Sequence, residues 1–505
     1  MGRLWSGLAA FLCVVPAYDP ASAGKADNSI RFAYEQVVEN IDPYFNSVRG
    51  GFIISQQVWD TLIYRDPRTN EYKGQLATAW RWIDDRTLEV ELRKGVQFHD
   101  GRQFDADDVV YTLNFVSNPA NRVLVQQNVS WIERAEKVDQ YKVLIRAKRP
   151  FPAAIEYLAG PVVIQPRDYH TRLSAADINL KPVGSGPYRV VEHALGKYVR
   201  LRRNPEYFKD SPKPQPTAET VEIRFIPDRQ TQVAEMLSGN IDFMMNVTAD
   251  QARHLRGIPS VQVKFGETMR VVFLQFNATE KTPASQLRDV RVRRAIAHAI
   301  NRDEIVKAIV GEGARVLHVL CFPTQFGCTD RDAPQFAFDP AKAAQLLADA
   351  GLPNGFDLDF YAFRERDHAE AMIGYLRNVG IRANLRFMQY AAVRDAVRAG
   401  TAPMTFQSWG SFSINDVSAI APVFFKFALD DIARDGEVRD LLERGDSSVD
   451  PDVRRQAYGG ALALIQERAY ALPLYSLPMY YVAGKDLEFT PYPDEMPRFW
   501  EMTWK

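Results

Sequence analysis

At 505 residues the chain is longer than one hydrophobic core usually supports, so two or three core-bearing units are expected. Its 46% hydrophobic and 25% charged residues exclude a disordered or membrane-embedded chain. The 62 Lys and Arg against 63 Asp and Glu leave a formal charge of -1, too balanced for a protein that grips phosphate backbones, so nucleic acid is not an expected partner.

The first 23 residues read as an export signal: Arg3, an apolar stretch from Leu4 to Val15, and Ala21-Ser22-Ala23 as a small-residue cleavage site. That stretch falls short of the roughly 20 apolar residues that span a bilayer. Cleavage near Ala23 would start the mature chain at Gly24 and place it in the periplasm. Only Cys321 and Cys328, in CFPTQFGC, would then remain. An oxidising compartment predicts a local disulfide between them. Zinc would need more ligands than His318 alone, and no metal is expected.

Ser29 to Glu35 alternates apolar and polar residues like a first strand, and Gly51 to Leu62 carries Ile53, Ile54, Val58 and Leu62 at helical spacing. Trp80 to Gly101 predicts an antiparallel meander, with Leu88, Val90 and Leu92 on one face. Asp105 then caps a helix whose inner face holds Val109, Val110, Leu113 and Val116. Tyr198 to Arg202 and Val221 to Ile226 read as strands, Asp228 caps a helix to Leu237, and a strand resumes at Ile241. Val271 to Phe276 is an apolar strand and Val290 to Ile300 a helix, with Arg291, Arg293 and Arg294 on its wet face. Asp339-Pro340 starts a helix that Gly351 stops. Phe356 to Tyr361, His368 to Val379 and Ile381 to Phe387 continue as strand, helix and strand. This repeated alternation predicts α/β lobes.

Ordered blocks across the chain carry a family resemblance. LATAWRWIDDRTLEVELRKGVQFHDGRQFDADDVVYTL (Leu76 to Leu113) is followed by VGSGPYRVVE (from Val183), RNPEYF (from Arg203), DVRVRRAIAHAINRDEIV (from Asp289), FDPAKAAQLLADAGLPNGF (from Phe338) and LPLYSLPMYYVA (from Leu472). Together they resemble the family 5 solute-binding receptors of ABC importers, the group with the peptide- and nickel-binding proteins. The resemblance implies a two-lobed periplasmic-binding fold of type II, cluster C-like, with an extra domain inserted in the first lobe and two hinge crossings. The crossings are expected near Val272 to Phe276 and near Tyr475 to Tyr481. The first lobe would then take residues 24–274 and 479–505, with residues 75–182 as the insert, and the second lobe residues 275–478. The local chemistry is plainer: His99 in FHDG reads as a turn or core histidine, and Gly184 and Gly186 as a tight turn without the Lys-Ser or Lys-Thr ending of a P-loop.

A ligand enclosed between lobes needs contacts from both. The second lobe should contribute SWGSFSIND, at the place of the family's GWxxD segment. Candidates there are Trp409, Ser411, Phe412, Ser413, Asn415 and Asp416. In the peptide receptors the acid three residues after the tryptophan pairs with a peptide's α-amine. Phe412 stands at that position here, so the usual mode of peptide binding lacks its charge partner. On the first lobe, YFNSVRGGF offers Tyr44, Asn46, Arg49 and Phe52. Arg364 and Arg366 of FRERD suit an anionic ligand end, and Arg270 and Gln275 flank the first crossing.

The expected function is an exported receptor that captures a peptide or peptide-like solute and hands it, as a monomer, to an inner-membrane permease with its ATPase. No cofactor and no catalytic residue is expected. The alternatives are a non-peptide solute such as an opine, an oligosaccharide or another carboxylated metabolite, and an exported hydrolase on the same fold.

Overall fold

The computed structural model describes residues 24–46 and 48–505. The export signal lies outside the described residues. Among these, no helix is long and apolar enough to cross a membrane.

Two mixed sheets form the two lobes. The first has seven strands in the spatial order Val261–Gly266, Met479–Gly484, Phe243–Val247, Ser29–Tyr34, Thr220–Phe225, Tyr198–Arg203 and Tyr188–Ala194. Ser29–Tyr34 is buried along its whole length and runs parallel to both neighbours, Thr220–Phe225 and Phe243–Val247. The second sheet has five strands, ordered Ile381–Phe387, Phe356–Ala362, Met404–Trp409, Val271–Phe276 and Ala471–Ser476. A separate four-stranded antiparallel sheet spans residues 77–147, and its inward Leu88, Val90, Val143 and Ile145 join the same hydrophobic core as Ile30 and Phe32 of the first lobe.

The strand Val271–Phe276 pairs with Met404–Trp409 on one side and Ala471–Ser476 on the other, so it belongs wholly to the second sheet. The first crossing is therefore residues 267–270, upstream of the expected position and of the expected boundary at residue 274. An all-apolar strand reads alike whether it crosses a hinge or fills a sheet centre. The return crossing is Leu477 and Pro478, between Ala471–Ser476 and Met479–Gly484.

Local signals account for several element ends. Asp105 accepts from the Asp107 N–H and Asp108 reaches back to the Asp105 N–H, closing a capping box on the helix Ala106–Ser117. Asp228 and Asp339 cap Arg229–Leu237 and Pro340–Asp349. Arg293 departs from the sequence reading, being 3% exposed. Its guanidinium donates to the carbonyls of Leu287, Arg288, Arg468 and Ala469, so it fastens the helix Val290–Ala299 to the end of Pro451–Glu467. Cys321 and Cys328 are disulfide-bonded.

Gly184 and Gly186 let two backbones approach more closely than a side chain allows. A Cβ on Gly184 would lie 2.0 Å from the Val58 carbonyl oxygen. His99 locks the same turn, its Nδ1 accepting from the Gly184 N–H at 3.2 Å while Nε2 donates to the Gly186 carbonyl at 3.0 Å. Burial lowers its pKa to about 4, and a proton added at Nδ1 would face the Gly184 N–H. The folded pKa lies below the unfolded value of about 6.5. This stabilisation is therefore fully present above pH 6.5 and is lost as pH falls toward 4. We expect the His99→Gln variant to lose roughly 2 kcal/mol less than the parent between pH 7 and pH 4, measured by urea unfolding at each pH. Parallel pH profiles for the two proteins would refute the assignment.

Candidate functional site

The lobes meet over a cleft directly in front of the two crossings. Two cavities share it. The smaller, of about 260 Å³, is walled by Val48, Phe52, Val125, Pro161, Trp409 and Phe412, with Arg49 and Arg270 as its charged lining residues. The larger, of about 610 Å³, reaches past the crossing residues Thr268, Leu477 and Pro478 and is bordered by Glu35, Asn246, Arg364 and Glu365. Arg49 and Arg270 line both.

Glu495 joins these two arginines. Arg49 approaches its carboxylate to 2.9 Å and Arg270 to 3.3 Å. Burial alone would raise the Glu495 carboxyl, but the charges of Arg270 and Arg49 outweigh it and hold its pKa below the ordinary range. Arg49 also donates to Ser413 Oγ at 2.6 Å, and that hydroxyl donates to the Asp494 carbonyl at 2.7 Å. Arg65 donates to the Ser413 carbonyl and the Asn415 N–H donates to Glu156, so the 411–416 segment of the second lobe is bonded across the cleft.

That segment is strained. Ser411, Phe412 and Ser413 have φ of 51, 50 and 65°, three consecutive left-handed residues of which none is glycine. Each such residue costs on the order of 1 kcal/mol, and runs of them persist only where surrounding contacts dictate them. Here the contacts are the cross-cleft bonds of Ser413 and the edge-on packing of Phe412 on Trp409, with ring centroids 5.1 Å apart. Trp409 is held in turn by Phe424 and by its Nε1 donating to the Ala419 carbonyl at 2.7 Å.

Of the residues expected from sequence, Asn46, Arg49, Phe52, Arg270, Trp409, Ser411 and Phe412 line the smaller cavity and Arg364 the larger. Arg364 is turned onto Glu365, with Nε 2.5 Å from a carboxylate oxygen. The others lie elsewhere. Tyr44 is fully buried, its hydroxyl donating to the Val163 carbonyl. Gln275 is fully buried within its strand and donates to the Asp430 carbonyl, because the strand starts at the cleft and runs away from it. Arg366 is exposed and pairs with Glu370 one helical turn on. Asn415 is 6% exposed, held by Glu156 and Thr324. Asp416 is bound by Arg454 at 2.7 Å and caps Val417–Ala419, so it shapes the loop from behind. Ser413 touches the cleft through Arg49 and borders a third, much smaller cavity. Sequence reasoning missed Asn128, from the four-stranded region, and Glu495. Neither belongs to a motif; Glu495 reads as a charge in a proline-rich tail.

Two polar atoms at the smaller cavity are buried and unpartnered among the described residues, Ser411 Oγ and Asn128 Oδ1. A cleft lined by cations, aromatic faces and unsatisfied polar atoms suits a small organic molecule. Among the described residues no cluster of histidine, cysteine or acid could hold a metal ion.

The family model for bacterial extracellular solute-binding proteins, family 5, matches residues 71–429. The chain belongs to that family. As a family 5 protein it is a solute receptor, and its relatives are named accordingly. A glutathione-binding protein, GsiB, from Escherichia coli is 26% identical over 474 residues, covering 88% of this chain and 90% of the relative. Among solved structures, HbpA2 from Haemophilus parasuis superposes with a TM-score of 0.82 at 22% identity, covering 94% of this chain and 100% of its own. DppA from Helicobacter pylori, solved with the peptide STSA, gives 0.75 at 22% identity and covers 94% and 98%. These two likenesses establish the two-lobed fold that the motif blocks imply.

Proposed function

We propose that this chain is the exported, periplasmic receptor of an ABC importer, taking one small peptide-like solute between its lobes and presenting the closed form to a membrane permease and its ATPase. The supporting observation is the position of the cavities: walls from both lobes converge in front of both crossings. A solute bridging those walls binds the closed form better than the open one, and that difference drives closure. The peptide-like class rests on relatives named for glutathione and peptides. Acting as a monomer and chemically inert toward its solute complete the reading.

One observation favours a second class within it. Phe412, half exposed, stands where the motif resemblance expects the amine-binding acid, and the described lining of the smaller cavity contains no carboxylate. A free α-amine finds no charge partner there, which favours an opine, an oligosaccharide or another carboxylated metabolite. Mass spectrometry of solute released from natively purified protein tests both. We expect one unchanged solute at about one equivalent, and its return should raise the melting temperature by mass action. Release of nothing, or catalytic conversion of the solute, would sink the receptor reading. A set of free-amine peptides would sink the second class alone.

A further inference from the structure

Two guanidiniums face the smaller cavity, and one carboxylate answers them. Arg49 and Arg270 share Glu495 as their one ion-pair partner among the described residues, and Glu35, which has no ion pair of its own there, borders the larger cavity and not the smaller, so at the smaller cavity two cations meet one carboxylate. The neighbouring Arg364 does not add to that excess, since Glu365 neutralises it directly. The less occupied of the two guanidiniums is Arg270. Arg49 spends its donors on Glu495, Ser413 and the Asp494 carbonyl. Arg270 reaches Glu495 only through Nε and Nη2, at 3.3 and 3.4 Å, and its Nη1 has no partner among the described residues.

The fold brings that free edge to a specific place. Gly410 lies so close that a Cβ there would sit 3.0 Å from Arg270 Nη2, so the guanidinium rests on the backbone of the left-handed loop. The next residue, Ser411, is fully buried and its Oγ has no partner. A buried hydroxyl left unsatisfied is costly, and beside an open guanidinium edge it is placed to donate to an anionic oxygen. Asn128 Oδ1, buried on the cavity wall, calls for a donor from the ligand. The rings of Phe52, Trp409 and Phe412 line the same cavity.

We propose that the smaller cavity is a monoanion site: a carboxylate of the solute is received by Arg270 Nη1 and Ser411 Oγ, an apolar or aromatic body lies along Trp409 and Phe412, an N–H reaches Asn128, and Glu495 limits the accepted charge to one. This rests on the receptor reading and narrows its solute to a singly charged, amphipathic acid with a hydrogen-bond donor. Glu495 is then the specificity-determining residue, because it turns a dianion site into a monoanion site.

The test uses three probes on one skeleton, N-acetyl-L-phenylalanine, its neutral amide and the amine in which CH2NH3+ replaces the carboxylate, together with the dianion benzylmalonate, by thermal shift and titration calorimetry on the full mature chain. The acid should shift the melting temperature while the amide and the amine do not. Ser411→Ala should weaken the acid by roughly tenfold, and Arg270→Gln should abolish the distinction between acid and amide. Glu495→Gln should admit benzylmalonate at least tenfold more tightly than the parent does, by about the worth of one charge-assisted hydrogen bond. Circular dichroism reports whether each variant folds, and the probe series on the parent protein stands without them. Equal shifts from acid and amide overturn the proposal, as does an undiminished preference for the acid in folded Arg270→Gln. No shift from any probe, in protein that still releases one native solute, also overturns it and leaves the receptor reading intact.

Discussion

Replacing Asp60 with alanine is expected to lower stability by about 3–5 kcal/mol, read as a fall in the urea midpoint followed by first-lobe tryptophan fluorescence. Asp60 is fully inaccessible, and Lys213, 3% exposed, meets it at 2.9 Å. The ammonium has other partners, the carbonyls of Gln56 at 3.0 Å and Trp59 at 3.4 Å and the face of Trp500 at 4.9 Å, but none carries a compensating charge. Removal of the carboxylate leaves a buried cation, and the Gln75 amide, Tyr207 and Ser185 lose an acceptor as well. The double variant Asp60→Val, Lys213→Met should lose less than Asp60→Ala alone, since desolvation of both charges is then avoided. A loss under about 1 kcal/mol from Asp60→Ala would mean that water reaches the pair. The network matters to the cleft because it ties the helix Arg49–Val58, which carries Arg49 and Phe52, to the C-terminal stretch that carries Glu495.

Arg454→Leu should have a comparable effect in the second lobe, again about 3–5 kcal/mol, and should impair binding as well. Arg454 reaches both oxygens of Asp416 at 3.0 and 2.7 Å, donates to the Gly445 carbonyl at 2.9 Å and lies 4.5 Å from the centre of the Phe326 ring. Asp416 directly follows the cross-cleft Asn415 and lies three residues beyond the end of the left-handed run at Ser413. Unpaired, it would pull the loop toward water and release the strain at Ser411–Ser413. Calorimetric affinity for the released native solute and chemical denaturation should therefore fall together. Arg454→Lys keeps the charge but loses the fork, and an intermediate loss is expected. Weakened stability with unchanged affinity would show that the loop keeps its shape without this anchor.

Much of the fold was legible because its signals are local. Asp105, Asp228 and Asp339-Pro340 announce helix starts through their own hydrogen bonds, and the alternation of Leu88, Val90 and Leu92 belongs to a strand with one buried face. The crossing was displaced because Val271–Phe276 is apolar on both faces and gives no period to read. The candidate site was only partly legible. SWGSFSIND marks the loop by type, but whether Phe412 or Asn415 meets the cavity depends on three left-handed residues that nothing in their identity predicts, since none is glycine. Arg293 and Arg366 look alike in sequence, one buried against carbonyls and the other exposed beside Glu370. The partners of Glu495 lie 446 and 225 residues away, so no window of sequence contains that triad.

The strand Met479–Gly484 lies between Phe243–Val247 and Val261–Gly266, in the interior of the first sheet. A nascent chain emerging amino end first has made the other six strands of that sheet by Gly266, yet two of them keep an open edge until Met479 appears. The lobe encoded first is thus completed last, and both sheets gain their final strand within the stretch Ala471–Gly484. Unpaired strand edges are templates for wrong pairing. During synthesis the hazard is therefore the waiting first lobe, and it ends only with the release of nearly the whole chain.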